Sequence, residues 1–181
     1  MIRLRNILLE ISEEESSRLL SKIRNKEYTF LAKGDNGKVY SINNEDLLFK
    51  ITTEPEEKAV ADVIVGRSEQ FNAFIPIHYS DPNTSMYIMN KANPLSESEV
   101  TEINKFYEGF KNFARQNGPN VTIFDYLNTE ETRNYSTILI NFLRALEEQV
   151  RKTNIGDLAE SIDFKPDNIM KWNGSLVMVD W

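Results

Sequence analysis

The chain has 181 residues, enough for one substantial core or two small lobes, and its 40% hydrophobic and 27% charged residues are those of an ordinary globular protein. A net charge of −7 argues against binding nucleic acid or an anionic membrane, since both need a clustered positive face, and the lack of cysteine excludes disulfides, thiolate metal sites and cysteine nucleophiles. The apolar run in residues 1–10 is too short for a signal peptide and no run approaches membrane-spanning length, so a cytoplasmic protein is expected.

Ser12 and Glu15 have the spacing of a capping box, and Leu19, Leu20 and Ile23 follow at helical spacing. They predict a short amphipathic helix over 12–25 that packs on what comes next. From Tyr28 the pattern turns to strands. Tyr28–Leu31, Val39–Ile42 and Leu47–Ile51 are β-prone and are separated by the turns Gly34-Asp35-Asn36-Gly37 and Asn43-Asn44-Glu45-Asp46. Pro55 suits the first turn of a helix, where Glu54, Glu56 and Glu57 are favoured by the dipole, and that helix is expected to end between Gly66 and Gln70. Phe74–Tyr79 and Met86–Met89 then read as two further strands around the turn Ser80–Asn83. The first ninety residues therefore predict a five-stranded antiparallel sheet carrying one helix.

Lys91–Leu95 breaks this pattern and is the expected hinge. After it, Ser96 with Glu99 opens a helix whose face is Val100, Ile103, Phe106, Phe110 and Phe113, and which stops at Gly118-Pro119. The segment 121–134 gives no clear period. A strong helix is predicted over 135–152, with Ile138, Leu139, Phe142, Leu143, Leu146 and Val150 as its buried face. The chain closes with a hairpin turned at Trp172-Asn173-Gly174.

Three features carry chemistry. The turn Gly34–Gly37 lets backbone N–H groups approach phosphate oxygens, although a Gly-x-x-Gly alone is also an ordinary hairpin turn, and it is not a Walker A loop because a strand follows Gly37-Lys38. Lys50 interrupts the apolar strand Leu47–Ile51; alone it reads as a lysine snorkelling to an edge. Glu57 shares a helical face with Val60, Ala61 and Ile64, so it points inward, whereas Glu56 and Asp62 fall on the solvated face. His78, the single histidine, reads as structural.

The most specific signal is Asp163-Phe164-Lys165-Pro166-Asp167-Asn168-Ile169-Met170, followed by Val177-Met178-Val179-Asp180-Trp181. It resembles the catalytic loop and metal-holding aspartate of the Ser/Thr protein kinases. The glycine hairpin, the strand lysine and the Tyr87-Ile88-Met89 strand before the hinge extend the likeness to nearly all the chain after residue 28. Small kinase-like proteins of bacteria and their phages are similar. The Asp180-Trp181 ending is also close to that of aminoglycoside phosphotransferases, but Lys165 is the protein-kinase residue. Asp157 superficially suggests an alternative loop, but Ile162 stands where an asparagine is needed.

The resemblance implies an α+β, two-lobed kinase-like fold: an N-lobe over 1–90, a hinge over 91–95 and a truncated, mainly helical C-lobe over 96–181. It implies ATP and Mg²⁺ as cofactors. Asp163 would take or orient the substrate hydroxyl proton, Lys165 would stabilise the transferring phosphoryl, and Asn168 and Asp180 would hold the metal. Gly34, Asp35, Asn36, Gly37, Val39, Lys50 and Met89 would contact the nucleotide, with Glu57 holding Lys50. Three departures stand out: Ser161 replaces a bracing histidine, Ala32 replaces the first hairpin glycine, and the sequence stops one residue after Asp180, before any activation segment. The expected activity is γ-phosphoryl transfer to a Ser/Thr hydroxyl of a protein. The alternatives are a kinase-like module that binds a partner, and a small-molecule phosphotransferase. Apolar surface left on the two long helices would favour a protein partner or a homo-oligomer.

Overall fold

The computed structural model describes residues 12–118, 120–153 and 164–180. Two compact units divide the chain: the first runs up to Phe71 and resumes at Ile75–Lys91, while the second takes Asn72–Phe74 and everything from Ala92.

In the first unit, strands β1 (Tyr28–Gly34), β2 (Gly37–Ile42), β3 (Leu47–Thr52), β4 (Ile77–Ser80) and β5 (Met86–Asn90) form an antiparallel sheet in the order β1-β2-β3-β5-β4. The order follows from the turns. Short connections pair β1 with β2 and β2 with β3, and β5 then returns to the free edge of β3. Helix α1 (Glu13–Arg24) is capped by Ser12, whose hydroxyl accepts from the Glu15 N–H at 3.1 Å. It lays Leu19, Leu20 and Ile23 on one face of the sheet, against Ile42, Phe49, Met86 and Ile88. Polar clamps hold it there: Glu45 accepts from Arg18 and from Lys22, the latter at 2.5 Å. Helix α2 (Pro55–Ile64) covers the other face with Val60, Ala61 and Ile64. Side chains alternate along β3, so Phe49 belongs to the α1 side and Lys50 to the α2 side.

The expected strand over Phe74–Tyr79 is corrected: β4 begins only at Ile77. Pro76 has no N–H for a ladder, and Phe74 instead bridges to Met178 within the second unit.

The second unit is mainly helical: α3 (Glu97–Asn117), α4 (Ile123–Leu127) and α5 (Thr137–Thr153), with a hairpin of β6 (Ile169–Trp172) and β7 (Ser175–Met178). Helix α3 starts at the predicted Ser96–Glu99 capping box and ends at Gly118, whose φ is +101°. The patternless stretch 121–134 holds α4, opened by a second capping box of Thr122 and Asp125, and a 3-10 turn at Glu130–Asn134. In α5, Leu139, Phe142, Leu143, Leu146 and Val150 are buried as expected, but Ile138 is 63% exposed because it falls at the edge of the arc those residues make, although Leu139 beside it is wholly buried. Val100, in the first turn of α3, is likewise exposed. Gln149 sits on the apolar face of α5 for a reason. Its amide accepts from Ala73 N–H at 2.9 Å and donates to Asn72 at 2.6 Å, fixing the Asn72–Phe74 segment to the helix.

The overall class is thus the expected α+β, with a five-stranded antiparallel sheet and its helix in one unit and a mainly helical second unit.

Candidate active site

The first unit assembles its predicted residues on the α2 face of the sheet. Two residues, Asp35 and Asn36, connect β1 to β2, and Gly34 pairs with Gly37. Gly37 cannot be replaced at leisure: a Cβ there would lie 2.4 Å from the Ile51 carbonyl oxygen, so the hairpin end packs backbone to backbone on β3. The Asn36 carbonyl is held by Thr53 N–H at 2.9 Å, which ties the turn to the end of β3. Across the ladder Val39 stands opposite Lys50, and Lys50 opposite Tyr87, so the three share one face. Met89 pairs with Leu48, two residues before Lys50, and is buried.

Lys50 is only 4% exposed, and its ammonium meets the Glu57 carboxylate at 2.5 Å. The short separation along the chain is possible because two residues, Thr53 and Glu54, join β3 to α2, which puts Glu57 in the helix's first turn. The same carboxylate accepts two more hydrogen bonds. Tyr87 donates its hydroxyl to Oε1 and Thr52 donates to Oε2, each at 2.5 Å. A buried carboxylate among three donors is well compensated for desolvation. Tyr87 and Thr52 are absent from the sequence-based set of site residues. A hydroxyl inside the apolar strand Met86–Met89 was the available signal, since a buried tyrosine O–H needs an acceptor. Thr52 lies two residues after Lys50 and so shares its face.

In the second unit Asp163, together with Ser161 and Trp181, lies outside the described residues. Phe164, next to it, is 3% exposed and meets Phe106 edge-on at 5.8 Å and Tyr107 at 6.5 Å, anchoring the loop on α3. Lys165 is exposed and precedes a 3-10 turn at Pro166–Asn168. Asn168 leads into β6. Its carbonyl accepts from Val179 N–H at 2.9 Å, continuing the register beyond Ile169 opposite Met178, so the hairpin brings Asn168 beside the residue that precedes Asp180. Both Asn168 and Asp180 are half-buried. The hairpin is turned by Asn173 (φ +48°) and Gly174 (φ +82°), the left-handed pair of a tight two-residue turn. Lys171 secures β6 to α3: its ammonium meets Glu99 at 2.7 Å and holds that carboxyl down at about 2, with Ser96 adding further hydrogen bonds.

No protein-family model matches the chain, and no curated protein matches it. Among solved structures, the streptomycin–ATP–APH(2")-IIa ternary complex matches at 13% identity with a TM-score of 0.35, over 96% of this chain and 71% of that one.

The donor atoms near the end of the second unit suit a hard cation. Asn168 offers an amide oxygen and Asp180 a carboxylate, and Mg²⁺ commonly takes only one or two protein carboxylates and completes its shell with water and phosphate oxygens. Among the described residues no cluster of three His, Cys, Asp or Glu forms a metal cage. His78, whose ring nitrogen Nε2 lies 3.0 Å from Asn90 Oδ1, belongs to the β4–β5 pairing region. Among the described residues no helix is long and apolar enough to cross a membrane.

Proposed function

We propose that the chain is a kinase-type phosphotransferase that uses ATP with Mg²⁺, with a Ser/Thr hydroxyl of a protein as acceptor. The observation that carries this reading is the buried Lys50–Glu57 pair on the face that the glycine turn abuts. A buried ion pair adds little stability over apolar residues of the same size, so a fold gains nothing by keeping one for packing alone. A lysine held by a carboxylate next to a tight glycine turn is what phosphate oxygens require.

In this mechanism Lys50 binds phosphate oxygens and Glu57 keeps its ammonium in place. Asn168 and Asp180 would hold Mg²⁺, which would neutralise phosphate charge. Asp163 takes or orients the acceptor hydroxyl proton. The acceptor oxygen forms its bond to the γ-phosphorus as the bond to the β-phosphate oxygen breaks, and ADP leaves. Lys165 stabilises charge on the transferring group.

One observation favours a second reading, a catalytically weak or inactive kinase-like module that acts by binding a partner protein. Lys50 is almost wholly enclosed by Glu57 and its neighbours, so phosphate would have to reach a nearly closed ammonium. Transfer of labelled phosphate from ATP with Mg²⁺ separates the two. The substrates are cell-lysate proteins in one arm and small alcohols and aminoglycosides in another. Protein labelling that vanishes in both Asp163→Ala and Asp180→Ala supports the first reading. Robust transfer by Asp180→Ala refutes it. Labelling confined to the small molecules moves the acceptor class to small-molecule phosphotransfer. A biological effect unchanged in Asp163→Ala favours the binding module.

A further inference from the structure

We propose that Tyr87 and Thr52 are positioning residues that keep Glu57, and through it Lys50, permanently assembled for a nucleotide, with no outside signal needed to bring α2 into place. The nucleotide part rests on the phosphotransferase reading; the clamp itself does not. Three donors converge on the Glu57 carboxylate, and only one of them is the lysine. The two hydroxyls come from different strands, β5 and β3. Each hydroxyl therefore holds the first turn of α2 to the sheet whether or not Lys50 is engaged with a phosphate.

Thr52 has a second role in this clamp. Its hydroxyl oxygen accepts from Glu54 N–H at 3.0 Å, at the entry to α2, and lies 3.0 Å from the Asn36 carbonyl in the glycine turn. A hydroxyl has one proton to give. The Asn36 carbonyl already receives Thr53 N–H, and the carboxylate is the charged and nearer acceptor, so the proton goes to Glu57. One side chain thus joins the end of β3 to the start of α2, while the neighbouring Thr53 N–H ties in the glycine turn. The two-residue link between β3 and α2 leaves no slack for the helix start to move away, and Glu57, Thr52 and Tyr87 are all buried, so water is not at hand to replace either hydroxyl.

Thr52→Val and Tyr87→Phe remove the hydroxyls and little else, and Thr52→Ser keeps one. ATP binding with Mg²⁺ is measured by calorimetry for the wild type, the Thr52→Val/Tyr87→Phe double variant, Thr52→Ser and Lys50→Met. Hydrogen exchange of the α2 amides is followed in parallel. In the double variant ATP should bind about tenfold more weakly, as expected for losing charge-assisted hydrogen bonds behind the lysine, and the first-turn amides of α2 should exchange about tenfold faster. Thr52→Ser should behave as wild type, and ATP should leave wild-type α2 exchange unchanged. Unaltered α2 exchange in the double variant overturns the proposal. So does faster exchange with unaltered ATP affinity, which makes the hydroxyls merely structural, and so does marked slowing of wild-type α2 exchange by ATP, which means the site assembles only on binding. ATP binding indifferent to Lys50→Met defeats the nucleotide reading instead, and α2 exchange still judges the clamp. Should the double variant not fold, the single Tyr87→Phe variant is judged by the same outcomes.

Discussion

Lys50→Met removes the cation from a carboxylate whose side chain is wholly buried, and the structure sets the size of the effect. Breaking a buried pair by deleting one partner costs about 3–5 kcal/mol. Two hydroxyl donors stay on Glu57, each worth roughly 1.5 kcal/mol to a charged acceptor, so the loss belongs at the lower end, about 3 kcal/mol. Replacing both partners, in Lys50→Met/Glu57→Gln, leaves a neutral amide that Tyr87 and Thr52 can still reach, at a cost of about 1 kcal/mol. The double variant should therefore be more stable than the single one. Both tryptophans, Trp172 and Trp181, lie in the second half of the chain, so their fluorescence is the wrong probe for this unit. Urea unfolding followed by far-ultraviolet circular dichroism, with hydrogen exchange on β3, reads it directly. With a urea slope near 1.5 kcal/mol/M, the single variant's midpoint should fall by about 2 M and the double variant's by less than about 1 M. Equal losses in the two variants would refute the reasoning, because the carboxylate would then carry no penalty when left without its cation.

Three more outcomes follow from local geometry. In Gly37→Ala the new methyl would meet the Ile51 carbonyl at 2.4 Å, so the hairpin must part from β3; thermal unfolding should show a loss of about 2 kcal/mol or more, and ATP binding should weaken with it. In Gly109→Ala the methyl would lie 2.2 Å from the Tyr126 hydroxyl, whose ring packs among Phe106, Phe110 and Phe113; denaturant unfolding should show about 1–3 kcal/mol of overpacking strain, relieved in part by adding Tyr126→Phe. For Glu99, held at about 2 in the folded chain against 4.5 normally, the stabilising contribution is present above about pH 4.5 and is lost as the pH falls toward 2. Because the pair with Lys171 is partly exposed, Glu99→Gln should cost only about 1 kcal/mol at pH 7, and a pH series of unfolding curves should show the two proteins converging toward pH 2.

Much of this fold was legible because local signals and packing agree. Turn residues bounded the meander, Pro55 opened α2, and the Ser96–Glu99 box opened α3 where expected. The misreadings arose where a residue's partner lies far along the chain. Phe74 has the composition of a strand residue, but it bridges to Met178, and the α5 glutamine holds Asn72 and Ala73 just before it. Ile138 and Val100 keep helical phase yet are exposed, Ile138 beside a wholly buried Leu139, and phase alone carries no information about where a buried arc ends. The capping box at Thr122 opens only α4, a helix of five residues and too brief to show a period. At the candidate site, Lys50 and Glu57 could be paired from helical phase and face, whereas Tyr87 joins them only through the ladder register of β3 with β5, which no local pattern encodes.

The placement of the polar residues also explains why their spacing survives as a readable motif. Each has a buried apolar residue beside it that fixes the backbone: Phe49 beside Lys50, Phe164 beside Lys165 and Ile169 beside Asn168. In the strand β3 alternation does the work, because burying Phe49 against α1 forces Lys50 to the opposite face, toward Glu57. In the loop the ring of Phe164 is seated against α3, so Lys165 follows from a fixed point. A shift of one residue in β3 would carry Lys50 away from Glu57 and leave both charges buried without each other, and one in the loop would unseat the Phe164 ring from α3. The spacing of the candidate site residues and the spacing of the core are therefore the same constraint, and a substitution at Phe49 or Phe164 should displace the polar side chain next to it.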